Sequence, residues 1–255
     1  MAIKLKNGAE FLHIPKTGGR WVASLLDSNN LIAHNKGHKH ADYDSNLFDY
    51  DSNLFPIGKG RKRNLLRLWS LLKTKGILKD TSHNISPFRF CFVRHPLSWY
   101  ESWWKYMETI GWRDFGETNS ASLWHPNSIL NGLGSHDFNE FVWNVIKKRP
   151  GYVSELFMSY TKSGINFIGK TENLHHDMID VMSILDIEID KSKILDAPKF
   201  HESKKVQIEW DPKLKDMMLK LELPSLIHFG YINEKEQRDF GLHKFIPPNK
   251  ALHLK

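Results

Sequence analysis

Apolar and polar positions alternate in blocks along the chain. Short apolar runs at 11–14, 31–34, 88–93 and 165–168 have the length of buried strands, and residues 88–93 read Phe-Arg-Phe-Cys-Phe-Val. Between them the apolar period lengthens to that of helices. One helix is expected from Arg20 and one from Pro96, a residue suited to a first helical turn. Another is expected over 137–148, where Phe138, Phe141, Val142 and Val145 share a face, and two more over 175–185 and 212–221. Strands alternating with helices predict an α/β, three-layer fold, a central parallel sheet with helices on both faces. No Pro/Gly/Ser-rich linker divides the 255 residues, so a single domain over 1–255 is expected.

In such sheets ligands bind beyond the carboxyl ends of the strands, and two of these ends carry chemistry. Residues 11–21 read Phe-Leu-His-Ile-Pro-Lys-Thr-Gly-Gly-Arg-Trp, a strand running through a glycine-bearing loop into a helix. Gly18 and Gly19 allow a sharp turn and close approach, the helix N-terminus offers N–H groups, and Lys16 adds a positive charge. This is an anion cradle. It is not a Walker A loop, because the lysine precedes the glycines. At the second end, Arg94-His95-Pro96 follows the run 88–93, and Ser102 lies eight residues beyond Arg94. An arginine fork and a serine hydroxyl two helical turns along could converge on one phosphate.

Composition narrows the partners. Lys and Arg number 36 against 29 Asp and Glu, a net charge of +7 that favours an anion. Nucleic acid is not expected: the basic cluster at 59–67 overlaps Leu65, Leu68, Trp69 and Leu72 at helical spacing, as on the solvated side of an amphipathic helix. No apolar run reaches the ~18 residues of a membrane span, and residues 1–8 lack a hydrophobic signal region. The lone Cys91 sits in a strand-like run as a small core residue, so a reducing, cytoplasmic setting is expected. His34, His38 and His40 have a spacing that could hold a metal, but no carboxylate or cysteine pattern completes it, and no metal is expected. Residues 111–135 read as a long loop of the kind that serves as a lid or binding loop. The heptapeptide Asp-Tyr-Asp-Ser-Asn-Leu-Phe at 42–48 recurs at 49–55, a local duplication in a surface loop or an acidic, aromatic rim to a cleft.

Three segments together resemble the sulfotransferases that use 3′-phosphoadenosine 5′-phosphosulfate (PAPS), closest in style to the carbohydrate and heparan types. Pro15-Lys16-Thr17-Gly18-Gly19-Arg20-Trp21 is similar to their 5′-phosphosulfate loop, and Arg94 to Ser102 to their 3′-phosphate motif. Residues 165–174, Ile-Asn-Phe-Ile-Gly-Lys-Thr-Glu-Asn-Leu, resemble the segment written Phe-Val-Gly-x-x-Glu-x-Leu. The resemblance implies the P-loop-like sulfotransferase fold, PAPS as co-substrate without a metal, and a hydroxyl-bearing small-molecule or carbohydrate acceptor. It gives Lys16 the bridging oxygen, Thr17, Gly18, Gly19, Arg20 and Trp21 the phosphate around it, and Arg94 and Ser102 the 3′-phosphate. Lys204 and Lys205 fall where relatives carry a basic loop over that phosphate. Gly37-His38 resembles the Gly-His of some heparan-type enzymes and makes His38 the expected base, with His34, His40 or Glu10 behind it. Trp99, Trp103, Trp104, Trp112 and Trp124 could stack on an acceptor, and core packing competes for Trp99 and Trp103. Two alternatives differ in class: a phosphate-binding interaction protein without turnover, and a nucleotide kinase, which the order of the loop disfavours.

Overall fold

A computed structural model describes residues 2–36, 87–112, 126–161, 164–197 and 207–233. The expected features at His38, His40, 42–55, 59–67, Trp124, Lys204 and Lys205 lie outside these residues. The chain begins with β1 (Ala2–Leu5), turns through Lys6 to Ala9, and returns as β2 (Glu10–Leu12). The turn closes by hydrogen bonds from Leu5 N–H to the Ala9 carbonyl at 2.8 Å and from Gly8 N–H to the Leu5 carbonyl at 2.9 Å. A connection this short allows only an antiparallel neighbour, and Ala2 pairs with Leu12 accordingly.

With β3 (Ile32–Lys36), β4 (Arg89–Val93) and β5 (Phe167–Lys170), the five strands have the order β3-β1-β2-β4-β5. β2, β4 and β5 are mutually parallel, while β1 is antiparallel to both β2 and β3. The sheet is therefore mixed, which corrects the all-parallel expectation: β1 runs against the other four strands.

Side chains alternate across this sheet as its pleat demands, and each face has its own core. Ile3, Leu5, Phe11, Phe90 and Phe92 point to one face, where α1 (Gly19–Ser28), α5 (Leu174–Ile184) and α6 (Lys191–Leu195) cover them. Ala2, Leu12, Cys91 and Val93 point to the other, beneath α2 (Pro96–Ile110), α3 (Phe138–Lys148), α4 (Tyr152–Tyr160) and α7 (Pro212–Leu221). A further helix, α8 (Leu223–His228), packs on α4. Helices on both faces are as expected. β4 is buried at all five positions, and burial pushes the Cys91 thiol up to about 12, as suits a core residue.

Capping marks the helices that close on themselves. The Asp137, Asp190 and Asp211 carboxylates accept N–H bonds at the starts of α3, α6 and α7. α4 is capped from a distance: Glu222 accepts from Val153 N–H at 3.1 Å, Ser154 N–H at 2.7 Å, Ser154 Oγ at 2.7 Å and Tyr100 Oη at 2.6 Å. Burial raises the Glu222 carboxyl above its ordinary value, and these donors offset part of that rise. α1 has no side-chain cap and no acidic residue in its first turn. No described helix is long and apolar enough to cross a membrane.

Candidate functional site at the carboxyl ends of β2 and β4

β2 and β4 lie side by side and parallel, yet the helices that follow them leave to opposite faces, α1 to one core and α2 to the other. By the general rule for open α/β sheets, such a divergence makes the shared carboxyl edge the candidate ligand crevice. Both expected motifs meet there, with Arg94 Nη1 3.4 Å from the Lys16 carbonyl oxygen.

The loop from β2 is held from several sides. Thr17 Oγ1 donates to the Ile14 carbonyl at 3.0 Å, and Trp99 Nε1 on α2 donates to the Pro15 carbonyl at 2.8 Å. Lys16 has a φ of 65°, a left-handed conformation that costs a non-glycine residue on the order of 1–3 kcal/mol and persists only where its surroundings impose it. Gly18, at φ 80°, starts α1, and a Cβ there would lie 2.7 Å from Leu174 Cδ2. At Gly19 a Cβ would lie 1.9 Å from the buried His13 ring. The two glycines are thus required by a bend and by a close approach, respectively.

The charges at this edge are mostly positive. Lys16 Nζ lies 4.4 Å from the centroid of the Tyr106 ring, and its pKa is lowered to about 8 by burial, by Arg94 and by Arg20. Burial lowers the Arg94 guanidinium too, opposed by Glu172 and Glu101. Among the described residues no ion pair involves Lys16 or Arg94. Glu172, just past β5, is spent elsewhere: it accepts from His95 N–H at 2.8 Å and from Tyr231 Oη at 3.1 Å. Lys170 Nζ donates to the Gly230 carbonyl at 3.0 Å, so the segment after α8 is tied to this edge.

The other expected residues take defined places. Arg20 is exposed on the first turn of α1. Trp21 is buried against His175, with ring centroids 4.8 Å apart, and its backbone N–H bonds the Gly18 carbonyl at 2.9 Å. Thr17 and Trp21 therefore turn their side chains inward and secure the loop. Ser102 is half-buried on α2, one turn before Tyr106.

Glu10 is at the opposite edge, where its carboxylate accepts from Arg89 Nε at 2.7 Å, so the structure does not bring it to the crevice. His34 is exposed on β3, two strands away from β2. Trp99, Trp103 and Trp104 are buried, which leaves them unable to stack on an acceptor. Trp112 packs against Phe141 with centroids 5.4 Å apart, and its Nε1 donates to Glu108.

Three participants were not singled out from the sequence. Tyr106 could have been found from its place one turn after Ser102 and Trp103, and Glu172 from the segment 165–174. Tyr231 had no signal, since it reaches the edge only through the packing of α8 on α4.

Comparison of the chain with family models, curated proteins and solved structures finds no match.

Proposed function

We propose that this protein is a PAPS-dependent sulfotransferase of the P-loop-like fold, moving a sulfuryl group to a hydroxyl of a carbohydrate or other small molecule. The observation that carries the reading is the shared carboxyl edge of β2 and β4, where an uncapped helix start, Lys16 and Arg94 converge. Those are the two segments that resemble the family's 5′- and 3′-phosphate motifs. A ligand with a phosphate at each end of an adenosine offers one anion to each.

In this reading the acceptor oxygen attacks sulfur in line, the bond from sulfur to the 5′-phosphate oxygen breaks, and adenosine 3′,5′-bisphosphate departs. The acceptor's proton passes to a base. Sulfuryl transfer, like phosphoryl transfer, asks the protein mainly to position reactants and stabilise the leaving charge. Lys16 does the latter. It needs its proton to do so, and an anion in the loop raises its affinity for that proton. The base is assigned to His38 by its sequence resemblance, while Glu10 is committed to Arg89.

Calorimetric titration tests the reading. Adenosine 3′,5′-bisphosphate should bind with or without magnesium, and more tightly than ATP with magnesium. Magnesium-dependent preference for ATP would make the protein a kinase. Tight binding of the bisphosphate, with no label passing from PAPS to any of a broad panel of hydroxyl acceptors, would instead favour a binding protein.

A further inference from the structure

The feature of this edge that the family motifs do not account for is the stripe on α2 beneath the loop. Trp99, Trp103 and Tyr106 follow at helical spacing on one face, with ring centroids 5.9 Å apart for the first pair and 5.8 Å for the second. The stripe touches the loop at both ends: Trp99 Nε1 bonds the Pro15 carbonyl at 2.8 Å, and the Tyr106 ring faces Lys16 Nζ at 4.4 Å. Trp99 is fully buried and packed edge-on against Tyr100 and Tyr152, so its indole has little freedom to follow the loop.

We infer that Trp99 is a positioning residue: its indole N–H fixes the Pro15 carbonyl and thereby holds Lys16 in its left-handed turn, with the amine directed onto Tyr106. The peptide plane between Pro15 and Lys16 is the one whose rotation sets the φ of Lys16. Pinning its carbonyl from beneath leaves that angle little room to relax. Without the bond, Lys16 returns toward ordinary φ and its amine moves into water, away from Arg94, Arg20 and the Tyr106 ring. The importance of this for turnover rests on the role proposed above for Lys16, but the geometry stands apart from it.

The test compares Trp99→Phe with Tyr100→Phe, which deletes a different buried bond, the one to Glu222. Trace acetylation of Lys16 across pH, read by mass spectrometry in the free protein, reports the amine's titration. In Trp99→Phe its midpoint should rise from about 8 toward 10.5, and in Tyr100→Phe it should stay. Affinity for adenosine 3′,5′-bisphosphate should fall by about tenfold in Trp99→Phe alone, as when a buried carbonyl loses its partner. If Trp99→Phe does not fold, benzothienylalanine at position 99 keeps the shape and removes only the N–H. An unchanged Lys16 midpoint in whichever variant folds overturns the inference, as does an equal rise in Tyr100→Phe. If the parent protein binds no bisphosphate, the sulfotransferase reading fails, and the Lys16 midpoint still decides the role of Trp99.

Discussion

One arginine opens β4 and another stands just past its end, and the fold treats the two oppositely. Arg89, at the amino edge, has a carboxylate partner inside the protein: Glu10 lies 2.7 Å away, and both side chains are less than a tenth exposed. Arg94, at the carboxyl edge, sits beside another cation, Lys16, and its nearest carboxylate influences are Glu172, held by His95 and Tyr231, and Glu101, held by Trp210. One charge is paired with a carboxylate inside the fold, and the other shares its edge with a second cation. Glu222 belongs with Arg89, a buried polar group engaged by its own protein. Burial alone does not single out a candidate site; like charges buried side by side, in no ion pair among the described residues, make a better one.

The largest effect expected from this contrast is on stability at the amino edge. Glu10→Leu removes the carboxylate beside the buried Arg89 guanidinium and should destabilise the protein by about 3–5 kcal/mol in denaturant unfolding, the usual cost of breaking a buried pair. Arg94→Ala should change stability by no more than about 1 kcal/mol, since it removes one of two neighbouring cations. The opposite ranking would break the comparison.

Next comes the Glu222 junction. Each of its carboxylate oxygens receives two donors, so Glu222→Gln turns an NH₂ group toward hydrogen-bond donors. A loss of about 2–4 kcal/mol should follow, against a smaller loss for Tyr100→Phe. Equal stability for parent and Glu222→Gln would mean that the site already holds a neutral acid.

How much of this contrast could be read in advance depended on local chemistry. The loop at Lys16 to Gly19 and the arginine at 94 were legible because a sharp bend after a buried strand demands particular residues in a particular order. β1 was not: Ala-Ile-Lys-Leu is too short to show a period, and its antiparallel pairing follows from the turn at Lys6 to Ala9. Glu222 looks solvated in Leu-Glu-Leu-Pro-Ser, because its donors come from Tyr100, Val153 and Ser154, far along the chain. Glu10 was weighed as a base and Trp99 as an acceptor platform for the same reason. A side chain's type was visible in the sequence, while the strand end or helix face it occupies depended on pairing and packing.

A smaller effect sharpens the account of the cationic edge. Lys16 titrates near 8 in the free protein, and a bound anion favours its protonated form. At a pH near 8 a fraction of the molecules, on the order of half, should take up a proton when the bisphosphate binds. Affinity should decline as pH rises through that region, because the amine then loses its proton. Binding enthalpies measured in HEPES and in Tris should differ by the corresponding buffer ionisation heat. Equal enthalpies would show that Lys16 does not contact the anion.

The role proposed for Arg94 is to hold a phosphate that only a 3′-phosphorylated nucleotide supplies. The most direct measurement is the ratio of affinities for adenosine 3′,5′-bisphosphate and adenosine 5′-phosphate, in the parent protein and in Arg94→Ala. The parent should prefer the bisphosphate, and Arg94→Ala should lose about 2–4 kcal/mol for it with almost none for the monophosphate, as expected for a lost charge-assisted fork. Equal losses for both ligands, or a parent protein with no preference between them, would contradict it.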